Sequence, residues 1–327
     1  MKTLLKLANG RGTLPIIGDC IRFDGSHAHA TDLDVWAVVP IAGQFPEPRL
    51  VSAALVKSAL ALSRVPVWAG DTLNGIQLTA HTEHADADYP RMPASVTALD
   101  PLTWNTPLAD GLARVLPAMA VLDIQYYLNG VYAAPEGHLV TTDGHRLHVA
   151  YNATAPRLAG AIVPRALFDI CKKPAGLRLS ATHAQMTAPG GATYTARLVE
   201  GKFPDYARVT PDSAQRPICV DVTQARIDAV TACAAFYRGN RAASNPVVLG
   251  ADGVLRDKSG TLCFPFCDSL PAPAGFEVAY LLDAIKAAGV GAVMCFSTGP
   301  ADKYGNLADS LLIARPDFAA VVMPTRI

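Results

Sequence analysis

Charge is scarce in this chain and evenly split. Of 327 residues 17 % are charged, with 28 Lys+Arg against 28 Asp+Glu. The zero balance gives no net field to gather a polyanion. It does not exclude one, because a basic stripe offset by an acidic exterior also sums to zero. Cysteine is sparse and irregular: the seven, at 20, 171, 219, 233, 263, 267 and 295, contain no C-x-x-C pair. Cys263 and Cys267 flank Phe264-Pro265-Phe266, which reads as a strand or its end rather than a zinc knuckle. Free thiols of this kind fit a reducing cytoplasm, the expected location. No run of 18 apolar residues is present, so no membrane span is expected. The opening MKTLLKLANGRG has Lys6 inside its apolar stretch and no small-residue cleavage pattern, so it does not read as a signal peptide. A nucleophile elbow, a P-loop and a paired-carboxylate signature are missing. No catalytic residue, metal ligand or cofactor is assigned.

Apolar residues make up 50 % of the chain, enough for large cores, and the length suits two or three domains. The pattern repeats. A short helix at about 3–9 precedes Thr13-Leu14-Pro15-Ile16-Ile17-Gly18, a strand entry. Cys20–Phe23 is a strand, Asp24-Gly25 a hairpin turn, and His27–Val39 a strand region containing Thr31-Asp32. A helix at about 52–63 turns Leu55, Ala59 and Leu62 to one face. The same order recurs. Thr106-Pro107 is an N-cap and first helical position, Leu108, Leu112, Val115 and Met119 form a stripe, and Pro117 ends or kinks the helix. Gln125–Leu128 and Val131–Ala133 read as strands before the turn Pro135-Glu136-Gly137, and Val163–Phe168 starts a second helix. In a third round Thr223 caps a helix with Ile227, Val230 and Ala234 inward and Arg226 outward. Asp252-Gly253 is a turn, a helix runs from Val278 to Gly289, and Val321–Pro324 closes the unit.

The offsets carry the argument. Val51, Val163 and Val278 lie 112 and 115 apart, Gly25, Gly137 and Gly253 lie 112 and 116 apart, and Thr31-Asp32 and Thr142-Asp143 lie 111 apart. Three copies of a domain of roughly 110 residues are expected, at 1–98, 99–212 and 213–327. Each is helix–strands–helix–strands, an α+β fold. Basic residues sit mostly off the apolar stripes of the helices. They are either solvated helix faces or a diffuse lining that touches phosphates without reading bases.

The stretch Thr141–Tyr151 reads as two strand ends around a tight turn at Asp143-Gly144. His145 and His148 are the candidate chemical groups there. On a strand, however, positions i and i+3 point to opposite faces, and no H-E-x-x-H frame surrounds them. The repeat makes the turn architectural, because Thr31-Asp32 is its counterpart.

Six segments resemble the bacterial β sliding-clamp family, the processivity subunits of the replicative DNA polymerase. They are TLPIIG (Thr13–Gly18), DIQYYLNG (Asp123–Gly130), TDGHRL (Thr142–Leu147), IVPR (Ile162–Arg165), LVEGKFPDYARV (Leu198–Val209) and VVMPTRI (Val321–Ile327). Each alone is weak. In order and across three repeats they are specific, covering nearly the whole chain and thinnest at 212–275. The resemblance implies the DNA-clamp fold. Two chains would join head to tail as a ring-shaped homodimer, with antiparallel sheets outside and two helices per domain facing a central channel around double-stranded DNA. It implies no enzyme activity. It also implies partners that dock by a short Leu- and Phe-containing peptide: the replicative polymerase, the clamp loader and other clamp-motif proteins.

Carried over by motif, one cleft wall is Leu128, Thr142, Gly144, His145, Arg146 and Leu147. A second is Pro204, Arg208 and Val209. The third is Tyr280, Val321, Val322, Met323, Pro324, Thr325 and Arg326. An apolar pocket framed by a few polar groups suits an extended peptide, and Met323 supplies an adaptable wall. For DNA, Arg11 matches a basic loop residue of the family, and Lys57, Arg114, Arg165, Lys172, Arg226 and Lys286 are lining candidates. The chain departs from the family in three places. Its first helix stands where the family has a strand first, Gln125 stands where Arg is common, and Thr325 replaces a bulky apolar wall. A clamp-like protein of a mobile element that docks or decoys partners without sliding is the second reading.

Overall fold

The computed structural model describes residues 1–8, 19–63, 65–92, 100–102, 106–151, 160–237, 245–299 and 301–326. Arg11, Thr13–Gly18, Arg64 and Ile327 lie outside the described residues. The chain forms two compact units: Met1–Trp104 with Val163–Leu198, and Asn105–Ile162 with Val199–Ile327.

The first unit holds helices α1 (Lys2–Ala8), α2 (Ala53–Ala61) and, from the later segment, Arg165–Ile170. They accompany a six-stranded antiparallel sheet ordered Cys20–Thr31, Val35–Ser52, Thr193–Arg197, His183–Thr187, Gly176–Leu179, Asp100–Leu102. The strand from Cys20 does not turn at Asp24-Gly25 as the sequence suggests. It runs on to Thr31 through a bulge on either side of Gly25, whose φ is +55°. The left-handed freedom of glycine serves a bulge as readily as a turn. The real turn is Asp32-Leu33-Asp34, where Asp32 Oδ1 accepts the N–H groups of Asp34 (3.1 Å) and Val35 (2.8 Å). On α2 the buried stripe is Ala53, Val56 and Ala59, while Leu62 lies past the helix end and is exposed.

The second unit is built on an eight-stranded sheet. Its order is Ile162–Pro164, Gly130–Ala133, Leu139–Thr142, Arg146–Ala150, Phe318–Val322, Leu311–Arg315, Val293–Phe296, Ile218–Asp221. A four-stranded sheet, Cys263–Pro265, Val254–Asp257, Pro246–Leu249, Ala274–Glu277, completes it. Among the described residues three helices pack here, Thr106–Val115, Gln224–Tyr237 and Val278–Ala288, numbered α3, α4 and α5. The stripe of α3 is buried as its period predicts, at Leu108, Leu112 and Val115. The helix stops at Val115, and Pro117 sits in a 3-10 turn at Leu116–Ala118, because proline has no N–H for the ladder. The buried Thr141 hydroxyl donates to the freed Val115 carbonyl. Gly289 ends α5 at φ +74°, and the Thr223 hydroxyl accepts the Arg226 N–H at 3.4 Å at the start of α4.

Residues 125–128, expected as a strand, are instead a 3-10 turn at Tyr126–Leu128. Asp123 and Asn129 close it. The Asn129 amide donates to the Asp123 carbonyl at 2.9 Å and its Oδ1 accepts the Asp123 N–H at 2.9 Å. Such side-chain bonds offer the backbone an alternative to the ladder.

Side-chain alternation along Arg146–Ala150 sorts this unit into two faces. Leu147 and Val149 join one apolar cluster with Val140, Ala319, Val321 and Leu312. On the other face His148 meets the helices. Its Nδ1 lies 2.8 Å from the Arg114 carbonyl, and its ring stands edge-on to Phe318 at 5.4 Å. Burial holds its pKa down to about 4, so the folded state keeps a neutral ring that donates from Nδ1. The unfolded chain takes up that proton near the usual histidine range of about 6.5. Stability is therefore full above about pH 6.5 and falls as pH drops towards 4, with a slope of about 1.4 kcal/mol per pH unit for one proton. His29, also lowered to about 4 mainly by burial, adds a second proton of the same sign. Urea unfolding followed between pH 7 and 4.5 is expected to show this loss, and His148→Asn to remove about one proton from the slope. An unchanged slope in that variant would show that His148 is not the group.

Candidate docking site

The site is assembled around the turn Asp143-Gly144-His145, and local chemistry fixes its shape. Asp143 Oδ1 accepts the N–H groups of His145 at 3.0 Å and Arg146 at 3.1 Å. The Thr142 hydroxyl accepts the Gly144 N–H at 3.1 Å and donates to the Arg146 carbonyl at 2.7 Å. Gly144 takes φ +83°. The first repeat uses the same three bonds from backbone N–H groups to side-chain oxygens at Thr31-Asp32, with the Leu33 N–H donating to the Thr31 hydroxyl at 2.9 Å and Leu33 at φ +74°. The 111-residue offset in the sequence is thus an offset between two turns built alike.

The turn is tied to the C-terminal segment and to α5. The Met323 N–H donates to the His145 carbonyl at 2.9 Å, and the Thr325 N–H to the Gly275 carbonyl at 2.8 Å. The His145 ring stacks on Tyr280, 6.1 Å between centroids at 15°. Arg146 sits over the same tyrosine ring at 4.4 Å and pairs with Asp143 (2.9 Å) and Asp283 (2.6 Å). Two carboxylates and an aromatic face hold this half-buried guanidinium, which suits a planar donor fork. Burial, followed by the Asp143 charge, raises the Tyr280 pKa, so its hydroxyl stays protonated as a hydrogen-bonding group.

Leu128, Leu147 and Val321 lie in one buried apolar cluster with Phe203, and Leu147 and Val321 are directly opposed across the strands. Val322 does not join them. Next along the strand, it faces the opposite side with Arg146 as its cross-strand partner, as the period of two requires. Pro204, Arg208 and Val209 are exposed on a segment whose 3-10 turn spans Tyr206–Val209. Phe203 and Tyr206 anchor that segment. Phe203 stacks on Tyr132 at 4.7 Å, and the Tyr206 hydroxyl is 3.1 Å from His138 Nδ1. Burial, with the Glu136 charge, pushes Tyr206 up to about 12. Met323 and Arg326 are exposed, and Pro324 and Thr325 half-buried. Sequence reasoning missed Asp283, Phe203, Tyr206 and His138. Asp283 was findable, because it stands one helical turn after Tyr280 on α5.

The basic candidates differ in what holds them. Lys57 and Lys286 are exposed. Arg114 pairs with Asp317 at 2.7 Å. Arg165 and Lys172 share Asp169 at 3.1 and 3.0 Å. Arg226, expected to face outward, is half-buried, and its guanidinium donates to the Phe266 and Asp221 carbonyls.

No protein-family model matches the chain. Curated relatives do. The β sliding clamp of Vibrio cholerae is 26 % identical over 314 residues, covering 85 % of this chain and 84 % of that protein. The β sliding clamp of Pseudomonas aeruginosa is 30 % identical over 260 residues, covering 73 % and 69 %. Among solved structures, the polymerase III β of Caulobacter crescentus superposes with a TM-score of 0.74 at 23 % identity, covering all of this chain and 96 % of that one. A fold shared end to end, a relative at 30 % identity across more than two-thirds of both chains, and the motif order seen in the sequence agree: the chain belongs to the bacterial β sliding-clamp family.

Proposed function

We propose that the chain is the protomer of a DNA sliding clamp that makes replication processive without chemistry of its own. Two copies, each of three clamp domains at 1–98, 99–212 and 213–327, join head to tail and encircle duplex DNA. The replicative polymerase, the clamp loader and other clamp-motif proteins dock by a short apolar peptide. The setting is the cytoplasm. Among the described residues no helix is long and apolar enough to cross a membrane. The observation that carries the docking half is the Met323–His145 backbone bond beside the Tyr280–His145–Arg146 stack. It holds an exposed, adaptable methionine against a rigid turn.

The clean test of the cleft removes Met323–Ile327. Cutting from Val321 would also take out two residues buried in the central strand pairing and confuse folding with docking. With Val322 retained, binding of a fluorescent Leu/Phe peptide should fall more than about tenfold, the worth of roughly 1.4 kcal/mol, while the oligomer seen by gel filtration stays the same. Peptide binding at full strength after this truncation overturns the cleft assignment. Arg146→Ala strips the turn of bonds to two carboxylates. It should lower stability by about 1.5–3 kcal/mol, measured by denaturant melts, and weaken the peptide in parallel.

The DNA half rests on the exposed lysines. Lys57→Glu with Lys286→Glu should speed loss of loaded clamp from circular DNA and flatten the salt dependence by about 0.9 in log–log slope per phosphate contact removed. Peptide affinity should not change. An unaltered salt slope removes these two lysines from the lining. A monomer that binds the peptide but never loads onto circular DNA favours the docking-only reading.

A further inference from the structure

Two cysteines that stand 76 positions apart meet at the edge of the eight-stranded sheet, with their sulfurs 3.5 Å from each other. Strands Ile218–Asp221 and Val293–Phe296 run antiparallel and set Cys219 directly opposite Cys295. The parity of the ladder makes this the close kind of pair. The Val222 N–H donates at 2.7 Å to the carbonyl of Ala292, the residue this register sets opposite it. Counting back by alternation, Val220 and Met294 are a hydrogen-bonded pair, and Cys219 and Cys295 a non-hydrogen-bonded one. Side chains stand closest at such positions, where Cα atoms are about 4.5 Å apart. That lies inside the window of roughly 4.4–6.8 Å that a disulfide spans.

The two thiols differ in their surroundings. Cys295 belongs to an apolar row across the sheet. It opposes Leu312, Leu312 opposes Val321, and Val321 opposes Leu147. That row buries it. Cys219 lies on the last strand of the sheet and is exposed, with its sulfur 3.5 Å from the Arg216 carbonyl. The Arg216 side chain is buried and bonds to the Ser310 carbonyl and hydroxyl. Burial, followed by the bond to Cys219, pushes the Cys295 thiol up to about 11, while the Arg216 charge works the other way by favouring its thiolate. One thiol is thus open to a reagent, and the other is shielded but in contact with it. The remaining exposed cysteine, Cys263, has Arg256 rather than a cysteine across its strand.

We propose that Cys219 and Cys295 form a thiol–disulfide exchange site that closes into a cross-strand disulfide when it meets a low-molecular-weight disulfide. In the first step the Cys219 thiolate attacks one sulfur of the small disulfide. The small S–S bond breaks, a mixed disulfide forms on Cys219, and the departing thiolate carries off the Cys219 proton as a thiol. In the second step the Cys295 thiolate, favoured by Arg216, attacks the Cys219 sulfur. The mixed disulfide breaks, the Cys219–Cys295 bond forms, and the second small thiolate leaves with the Cys295 proton. Two protein thiols are oxidised and one small disulfide is reduced to two thiols. Excess small thiol runs both steps backwards, so a reducing setting keeps the pair open.

The test incubates the reduced full chain with oxidised glutathione, quenches it in acid and maps the peptides by mass without reductant. The peptides carrying Cys219 and Cys295 should be found joined, lighter by two hydrogens than their sum and without glutathione. Dithiothreitol should separate them, and the closed form should lose iodoacetamide labelling at Cys219. Cys295→Ala, which removes the attacking sulfur of the second step, should trap glutathione on Cys219. Cys219→Ala, a change at an exposed position, should leave Cys295 unmodified, and it carries the test alone if a thermal melt shows Cys295→Ala to be unfolded. The proposal is overturned by a native chain that leaves Cys219 free or keeps glutathione on it. It is also overturned by Cys219 joined to another cysteine, or by glutathione on Cys295 in Cys219→Ala.

Discussion

The second unit depends on one strand pairing. Arg146–Ala150 and Phe318–Val322 run antiparallel in a register that sets Leu147 opposite Val321 and His148 opposite Ala320. Because side chains alternate, this register decides two things at once. It places Leu147 and Val321 in the apolar cluster with Leu128 and Phe203, and it sends His148 and Phe318 to the helix side. A slip of one residue would exchange the faces, putting a ring that is fully buried and neutral into a different environment. The pairing also brings Met323 within bonding distance of the His145 carbonyl, so the proposed docking site is a by-product of correct register.

Around that seam the polar groups are arranged to hold shape rather than to react. Asp143 accepts two backbone N–H groups and the Arg146 guanidinium. Arg146 in turn bridges to Asp283 and covers Tyr280. Each charge has a partner of opposite sign, which is how partly buried charges are tolerated. A surface of this kind suits the proposed recognition by fixed contour, with apolar residues offering contact area and Met323 adjustment.

Much of this was legible in the sequence. The α3 stripe, its end before Pro117, the turns at Gly137 and Gly253 and the start of α5 follow from period, proline and glycine. The Thr-Asp repeat was legible because the same side-chain bonds recur at both copies. What misled were residues with two local uses. Gly25 serves a bulge where a turn was expected, and Asp123 with Asn129 pulls an apolar tyrosine-rich run into a 3-10 turn. The resemblance named candidate cleft residues, yet it did not separate Val322 from Val321, which needs the strand's parity. Nor did it reveal that Arg226 spends its donors on carbonyls. The division into compact units was also illegible, because it follows sheet pairings such as Thr193–Arg197 with Val35–Ser52 that span distant parts of the chain.

The seam has a kinetic side as well. His148 and Ala320 meet across about half the chain, whereas the hairpins on either side of them, Leu139–Ala150 and Leu311–Val322, are local. Loop-closure entropy makes local hairpins early and distant pairings late. Until the seam closes, Arg146–Ala150 and Phe318–Val322 each present a bare, largely apolar strand edge, the kind of edge that recruits other chains. The contact that gives the proposed docking site its place is thus one whose delay exposes the folding chain to aggregation.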